Sequence, residues 1–352
     1  MDLSEAFKKI KEAEKYAHPK SSFFFKKSPE WAEAAHCYET AANMFRAQHS
    51  SEHAVEAFMK AAEAHKNSNS MYLAAKCSET AASILEKDNK VEESCRNYEL
   101  ASQEYFMGNS PDRAAAMLFN AAKAIERSSV ERAVGFYKRA LETVDDGESR
   151  LSYDTYKKVI IALIKLRVIN EAIDVAMKLN SIYIEKRHDN ALFKNELTII
   201  ILLLFNDKFS VAEDFFNIFC GEKNDQNGTN YSDFGNKFLN SEEGITADDM
   251  LNAYANNDAE LMNKSTTKFC VKYLDNEVVK IARELRAKVN SGQAQYPNNN
   301  NNDFDLTGGG NVNNNDINLG SGNFDLGGNN SNNFGNGNMN GGYNDDGGFD
   351  LC

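Results

Sequence analysis

The sequence repeats at a period of 40 residues, and this repeat limits the possible fold more than any other feature. Paired alanines recur at that offset: Ala34-Ala35, Ala74-Ala75 and Ala114-Ala115, then Ala41-Ala42, Ala81-Ala82 and Ala121-Ala122. Small and aromatic residues recur between them: Ala54, Phe58 and Ala61; Ser94, Tyr98 and Ala101; one residue early, Ala133, Tyr137 and Ala140. Small residues beside one large ring let two helices pack closely. Each unit is therefore predicted to be a pair of helices.

Looser copies extend the pattern, so that residues 28–219 are predicted to hold five two-helix repeats of about 40 residues. The additional copies are Ala172, Ala176 and Leu179, then Ala212, Phe216 and Phe219. We expect an all-α fold: a tetratricopeptide-like α-solenoid of helical hairpins with a C-terminal helical bundle and a disordered tail. Because the usual period of that class is about 34 residues, the helices here must be longer or the turns larger.

Local signals place several boundaries. Ser28-Pro29 and Ser110-Pro111 predict helix starts, and Gly108 predicts a helix end. Residues 1–27 read as an N-terminal helix and a Phe-rich loop, and the Gly, Asn and Asp of 220–244 predict a further loop. Apolar periodicity over 245–290 predicts a helical cap on the open end of the solenoid.

Residues 291–352 differ from the rest in composition. They contain 19 Asn, 14 of the 21 Gly, seven Asp, and no Glu, Lys or Arg. Of the net charge of −13, they carry −7, which leaves 39 − 45 = −6 for residues 1–290. Too few apolar residues are present to offset the entropy of ordering, so this tail is predicted to be disordered.

Several function classes are not expected. An acidic chain without a basic stripe or zinc-finger spacing does not favour nucleic acid. Phosphate-binding, metalloprotease and hydrolase motifs are absent from the sequence, so we expect neither an enzyme, nor a cofactor, nor a small-molecule substrate. His49 and His53 stand one helical turn apart, but zinc needs three or four convergent ligands, so we assign them to the surface and expect no metal.

The expected location is cytoplasmic, with peripheral membrane association. No signal-peptide pattern begins the sequence, and the apolar run from Ile199 to Phe205 is far shorter than the roughly 20 residues of a spanning helix. The cysteines form no C-x-x-C pair, as is typical of reduced thiols. They are Cys37, Cys77, Cys95, Cys220, Cys270 and Cys352.

The helical repeat does not explain one segment, Lys20-Ser21-Ser22-Phe23-Phe24-Phe25-Lys26-Lys27. One interpretation is that one or two of the three phenylalanines dock on the first helix pair. The other is that Phe23, Phe24 and Phe25 enter a lipid surface while Lys26 and Lys27 attract anionic headgroups. Each buried Phe contributes about 1.5–3 kcal/mol and each Lys about 1 kcal/mol. That sum favours a weak, reversible membrane contact.

The tail holds two further features. Phe-Asp-Leu occurs at 304–306, 324–326 and 349–351, which either raises the effective concentration for one peptide-binding partner or reflects duplication in a low-complexity sequence. An acidic end with one apolar anchor, formed by Asp345, Asp346, Asp350 and Leu351, suits a basic partner surface with a small pocket.

Specific segments resemble the soluble NSF attachment proteins (SNAPs). They are Ala41-Ala42-Asn43-Met44-Phe45-Arg46, the aromatic loop, and the acidic tail with Leu351 next to last. Ser110-Pro111-Asp112-Arg113-Ala114-Ala115 and the Leu-Cys ending are most similar to the gamma type.

The resemblance implies a non-enzymatic adaptor. Such a protein binds SNARE complexes and recruits and stimulates the hexameric ATPase NSF, which separates SNAREs after vesicle fusion. It further implies that Phe23, Phe24 and Phe25 touch the membrane and that Leu351 and its acidic neighbours engage NSF. A basic face toward the SNARE bundle is also implied, to which we assign Lys123, Lys157 and Lys158.

Two alternatives remain. A generic tetratricopeptide-type scaffold or co-chaperone requires a clamp of Lys, Asn and Arg across the first units, where the predicted inner helices offer mostly Ala, Glu and His. An endocytic or coat accessory protein would use the Phe-Asp-Leu copies as adaptor-binding peptides.

Overall fold

The computed structural model describes residues 3–19, 28–144, 150–221 and 232–292. Every regular element in these ranges is an α-helix, which confirms the predicted all-α class. In order, the helices are α1 (Ser4–Ala17), α2 (Trp31–Ala47), α3 (Ser51–Asn67), α4 (Met71–Lys87), α5 (Val91–Met107), α6 (Pro111–Ile125), α7 (Val130–Thr143), α8 (Arg150–Lys165), α9 (Ile169–Glu185), α10 (Asp189–Phe205), α11 (Phe209–Phe219), α12 (Ser232–Leu239), α13 (Glu242–Ala255), α14 (Ala259–Thr266), α15 (Phe269–Lys272) and α16 (Asn276–Asn290).

The long period comes from long helices rather than long turns. Helices α2 to α5 have 17 residues each, and three residues separate each from the next helix. The middle residue of each turn has positive φ, at His49 (58°), Asn69 (56°), Asn89 (60°) and Asn109 (55°). The following N–H closes the turn onto the carbonyl five residues back, as Ser50 does to Phe45 at 2.9 Å. Asparagine suits this position because it tolerates the left-handed region.

One junction departs from this turn and accounts for the early third copy. After α6, the N–H groups of Ser128 and Ser129 both donate to the Ile125 carbonyl at 2.9 Å. The Ser129 side chain then caps α7 by accepting from the Arg132 N–H at 3.3 Å. Helix α6 has 15 residues instead of 17, and four residues instead of three separate it from α7, so Ala133 and Tyr137 come one position earlier than their counterparts in the preceding unit.

The paired alanines are the contact surfaces between helices. All twelve alanines of the two repeated pairs are fully buried, at 0% exposure. The rings between them fill the remaining space: Phe58, Tyr98 and Tyr137 are each at most 4% exposed. Tyr98 Oη donates to Glu86 at 2.7 Å and Tyr137 Oη to Glu126 at 3.3 Å, so each buried hydroxyl is satisfied.

The apolar run noted in the sequence lies at the centre of the C-terminal bundle. The C-terminal half of α10 is apolar on all sides, with Ile199 to Leu204 at 0% exposure, and the helix packs against α9, α11, α13 and α16. Arg167, in the turn before α9, forms two hydrogen bonds of 2.7 and 2.8 Å to Glu284 of α16, which joins the bundle to the solenoid. Within the described ranges, no helix is both long and apolar enough to cross a membrane.

The prediction of a loop over 220–244 is wrong for its second half. Residues 232–239 form α12, and α13 begins at Glu242. Phe234 and Phe238 stand one helical turn apart and are buried at 4% and 0%, and the Phe238 ring lies 5.3 Å from that of Phe219. Burial of these two rings stabilises a helix here, although the Gly, Asn and Asp of the segment indicated a loop. The glycines permit close backbone approach instead, since a Cβ at Gly235 would lie 2.6 Å from the Phe219 carbonyl oxygen.

The predicted helix start at Ser28-Pro29 is also wrong, by about two residues. Helix α2 begins at Trp31, because the Glu30 N–H donates to the Tyr16 carbonyl at 3.0 Å and so ties the preceding chain to α1. The start at Ser110-Pro111 is confirmed, with Pro111 as the first residue of α6, and Gly108 caps the end of α5.

A buried carboxyl in α10 gives the fold a pH-dependent stability. Glu196 is 2% exposed; its Oε1 accepts from Asn180 Nδ2 at 2.7 Å, while its Oε2 has no hydrogen-bond partner among the described residues. Burial raises the pKa of Glu196 well above its usual 4.5. The folded chain therefore binds more protons than the unfolded chain above about pH 4.5, and the free energy of unfolding falls as pH rises through that window.

Replacing this carboxyl by a neutral amide removes that loss. Glu196→Gln is expected to raise the melting temperature at pH 8, and the difference from the unchanged protein should shrink toward pH 4.5. Thermal unfolding followed by circular dichroism across this range tests it, with the exposed Glu63→Gln as control. A difference that is the same at pH 5 and pH 8 would contradict the assignment.

Candidate partner-binding surfaces

The alternation of helices gives the solenoid two faces. We call the surface formed by α2, α4, α6, α8 and α10 the first-helix face, and the surface formed by α3, α5, α7, α9 and α11 the second-helix face. Since each helix packs mainly on its neighbours in sequence, each exposes one stripe of side chains on its own face. The chemistry of these two stripes can therefore differ.

The first-helix face is basic. Among the described side chains it exposes nine cations against three anions. The cations are Arg46, Lys76, Lys87, Arg113, Lys123, Lys157, Lys158, Lys165 and Lys194, and the anions are Glu33, Glu86 and Asp154. A difference of 9 − 3 = +6 on a chain of net charge −13 is a strong local departure. It creates a positive potential that attracts an acidic partner.

The second-helix face is acidic and internally paired. It exposes three cations against eleven anions, 3 − 11 = −8. Two of those cations bind carboxylates one unit away: Arg132 to Glu92 at 2.8 Å and Arg139 to Glu99 at 2.6 Å. Of these two faces, the first-helix face is thus the one with an excess of exposed positive charge among the described residues.

All three lysines assigned from the sequence lie exposed on the first-helix face. Lys123 is on α6, and Lys157 and Lys158 are on α8. Among the described residues none of the three forms an ion pair; the Lys123 ammonium stands 6.0 Å from the centre of the Phe119 ring. Three such ammonium groups on one face can meet partner carboxylates without first breaking an ion pair.

A groove of about 410 Å³ continues this face at its C-terminal end. Lys157 and Lys194 stand on its walls, and Ile160 and Ile161 contribute apolar surface. Tyr273, which is 63% exposed and packs on Phe269 with ring centres 4.2 Å apart, forms the opposite side. Burial raises the pKa of Tyr183 in the lining to about 12, so that its hydroxyl stays neutral. The groove suits a partner with both carboxylates and apolar side chains.

An apolar patch lies on the edge where the first helices begin, which we call the near edge. The second helices end there, so Tyr72 and Leu73 at the start of α4 meet Phe106 and Met107 at the end of α5. Phe106 is 61% exposed and Met107 is 60% exposed. Gly108 allows the two helix ends to approach closely, because a Cβ there would lie only 3.1 Å from the Tyr72 nitrogen. All four of these apolar side chains are exposed to solvent.

The end of α1 and the start of α2 lie at the same near edge. Helix α1 ends at Ala17 beside the start of α2, as the hydrogen bond from Glu30 to Tyr16 shows. The predicted membrane residues Phe23, Phe24, Phe25, Lys26 and Lys27, between these two helices in the sequence, lie outside the described residues. So do Asp345, Asp346, Asp350 and Leu351 of the tail.

Sequence reasoning missed several members of these surfaces. Lys76 and Lys194 carry no local motif, and only their position on the first helices marks them. Phe106 and Met107 looked like ordinary apolar positions at the end of a helix. Of the histidine pair that it noted, His49 is exposed as expected, whereas His53 has a packing role, since its ring stacks on Phe45 with centres 5.2 Å apart.

Two solved structures share the helical arrangement only loosely. BtubC (BKLC) from P. vanneervenii aligns over 88% of this chain and 97% of that chain, with 14% identity and a TM-score of 0.33. The apo form of RapI aligns over 82% and 100%, with 13% identity and a TM-score of 0.32. Similarity of this size supports no inference about function.

Sequence comparison is more specific. A gamma-soluble NSF attachment protein of Dictyostelium discoideum is 28% identical over 262 residues, which cover 74% of this chain and 77% of that protein. Its namesake in Arabidopsis thaliana is 28% identical over 259 residues, covering 73% and 84%. Both similarities confirm the resemblance to the gamma type. The model of the soluble NSF attachment protein family, SNAP, matches residues 4–289, and the chain therefore belongs to that family.

Proposed function

We propose that this chain is an adaptor that binds SNARE complexes through its first-helix face and recruits and stimulates NSF through its acidic tail. The observation that supports it most is the charge separation, with nine exposed cations against three anions on one face and three exposed cations against eleven anions on the other. Family membership supports an NSF-attachment role in general. The proposed setting is vesicle fusion and intracellular protein transport, with a cytoplasmic, peripherally membrane-associated protein.

The first-helix face fits a long, rod-like partner better than a small ligand. Its cations extend from Arg46 on α2 to Lys194 on α10, so each of the five first helices contributes to this face. A four-helix SNARE bundle offers an extended surface of matching kind. Contacts spread over many exposed lysines are individually weak and depend on salt. The expected complex therefore forms quickly and dissociates readily as ionic strength rises.

The near edge fits the surface of a phospholipid bilayer. Phe106 and Met107 lie on the edge where α1 ends and α2 begins, so they would add to the proposed contact of Phe23, Phe24 and Phe25. Protruding side chains enter a lipid interface without needing a complementary pocket. An adaptor held at this edge keeps its first-helix face roughly upright beside a membrane-anchored SNARE bundle. Weak contacts at the bilayer, the bundle and NSF then reinforce one another by raising the effective concentration.

Charge reversal on the basic face tests the SNARE contact. Lys157→Glu is expected to weaken binding to an assembled SNARE complex by on the order of 1 kcal/mol, or roughly fivefold, because a favourable charge becomes a repulsive one. Arg96→Glu is the matched control, since Arg96 is an exposed cation on the second-helix face. Affinities come from fluorescence anisotropy at fixed salt. Equal losses in the two variants would exclude a face-specific contact.

Paired serine substitutions test the membrane edge. Phe106→Ser with Met107→Ser is expected to lower the vesicle partition coefficient about tenfold, since two partly buried apolar groups contribute on the order of 1.4 kcal/mol. Val130→Ser, at the opposite edge and 42% exposed, should leave flotation with anionic vesicles unchanged. Equal flotation of the unchanged protein, the double serine variant and Val130→Ser would show that the near edge does not contact the membrane.

Leu351 and Leu326 occupy the same position in two identical Phe-Asp-Leu copies. Substituting each leucine in turn distinguishes the role of the last copy from that of the copy before it. Leu351→Ala is expected to reduce stimulation of the NSF ATPase close to the basal rate, because it removes the apolar anchor of the acidic segment. Leu326→Ala, the matched change in another copy, should leave stimulation intact. Phosphate release in the presence of a SNARE complex provides the measurement. Loss in both variants would favour a role for all copies, and loss in neither would remove the tail from NSF binding.

A further inference from the structure

Three metal-ligating side chains from successive helices meet near the N-terminal end of the solenoid. Glu39 lies on α2, His65 on α3 and Cys77 on α4. Their ligand atoms all lie within 4.8 Å of one another; His65 Nε2 is 2.8 Å, and Cys77 Sγ 3.2 Å, from Glu39 Oε1. His65 and Cys77 are buried, at 7% and 3% exposure, while the Glu39 side chain is 35% exposed. The cluster is thus mostly shielded but open to solvent on the carboxylate side.

The next repeat shows which residues stabilise the equivalent position when the set of metal ligands is incomplete. Forty residues on, the corresponding positions hold Glu79, Tyr105 and Met117. There the Tyr105 hydroxyl donates to Glu79 at 2.6 Å, which satisfies the contact between α4 and α5 by itself. The first unit keeps the carboxylate but has His in place of Tyr and Cys in place of Met. Both differences introduce a metal ligand where the fold functions with a non-ligand.

We propose that Glu39, His65 and Cys77 bind a zinc ion, with a water molecule from the solvent side as the fourth ligand. Sulfur, nitrogen and oxygen are the donors zinc uses, and three protein ligands with an open position form a stable tetrahedral site. This proposal is independent of the SNARE and NSF contacts.

The charges balance when the ion binds. Without the ion, the Glu39 carboxylate accepts hydrogen bonds from the imidazole and the thiol. Binding replaces both hydrogens at this centre: the thiol proton leaves to solvent, and the imidazole carries its remaining proton on Nδ1. One thiolate and one carboxylate then neutralise the two positive charges of zinc. The site contributes no net charge to the half-buried interior.

The geometry needs only a small adjustment. Zinc–ligand distances of about 2.0–2.3 Å place the ligand atoms roughly 3.5 Å apart in a tetrahedron. The His65–Glu39 distance of 2.8 Å must therefore open by about 0.7 Å, and the exposed carboxylate of Glu39 has room to move.

The ion would join the first helix pair to the second. Glu39 and His65 belong to one pair and Cys77 to the first helix of the next pair, so one ion would cross-link three helices near the N-terminal end of the stack. The resulting role is structural: zinc raises the stability of the N-terminal units and holds the near edge in position.

Cobalt provides a direct spectroscopic test on the full-length protein. After chelation and removal of bound metal, Co²⁺ is titrated at pH 7.5 and absorption is recorded. We expect one equivalent to give the visible bands of tetrahedral cobalt and a thiolate-to-cobalt charge-transfer band in the near ultraviolet, both removed by added Zn²⁺. Zinc should also raise the melting temperature.

The neighbouring repeat supplies the matched variant. His65→Tyr with Cys77→Met gives the first unit the residues of the second, so it should fold, lose both spectral features, and lose the zinc-dependent rise in melting temperature. Cys95→Ala removes another buried thiol and should keep all three. If the unchanged protein shows no thiolate-to-cobalt band, or if the double variant keeps it, the proposal fails. The first of these results needs no variant to fold.

Discussion

Contact between helices through fully buried alanines is the constraint on which the rest of the structure depends. With no side chain beyond Cβ at Ala34, Ala41 and their counterparts, two helix backbones approach closely and one aromatic ring per pair fills the remaining gap. Three-residue turns with a positive-φ residue then reverse the chain without changing the phase of the next helix. Equivalent residues consequently recur at the same place in each unit, and any surface property carried by one helix type becomes a stripe along the whole stack.

The exposed charges are distributed according to helix type. The first helices carry the exposed lysines and the second helices the exposed glutamates, so a chain of net charge −13 still presents a basic face. The few exposed cations of the acidic face include Arg132 and Arg139, which are held by neighbouring carboxylates. Exposed pairs of this kind contribute little to stability. Their effect is to pair the cations of the second-helix face locally, so that of the two faces only the first-helix face carries an excess of exposed cations among the described residues.

The 40-residue repeat was sufficient to predict the fold class, whereas the residues that form each surface could be identified only from the structure. Alanine spacing and the Asn residues of the turns are local signals that one sequence displays. By contrast, Glu39, His65 and Cys77 are separated by up to 38 residues and meet only because three helices stack. The segment 232–239 was misread because Gly235 was taken as a turn signal, although close packing against Phe219 is what excludes a side chain there. The roles given to Phe23 to Lys27 and to Leu351 rest on sequence alone and stay predictions.

Assignment of the first-helix face to the SNARE bundle is the central claim, and site-specific photo-crosslinking tests it most directly. A photoreactive residue at the exposed Ala116 of α6 probes this face, and one at Gly135 of α7 probes the other, where an added side chain meets no atom within 4 Å. With an assembled SNARE complex, crosslinks are expected from position 116 and not from position 135. Crosslinks from position 135 alone, or equally from both, would contradict the account.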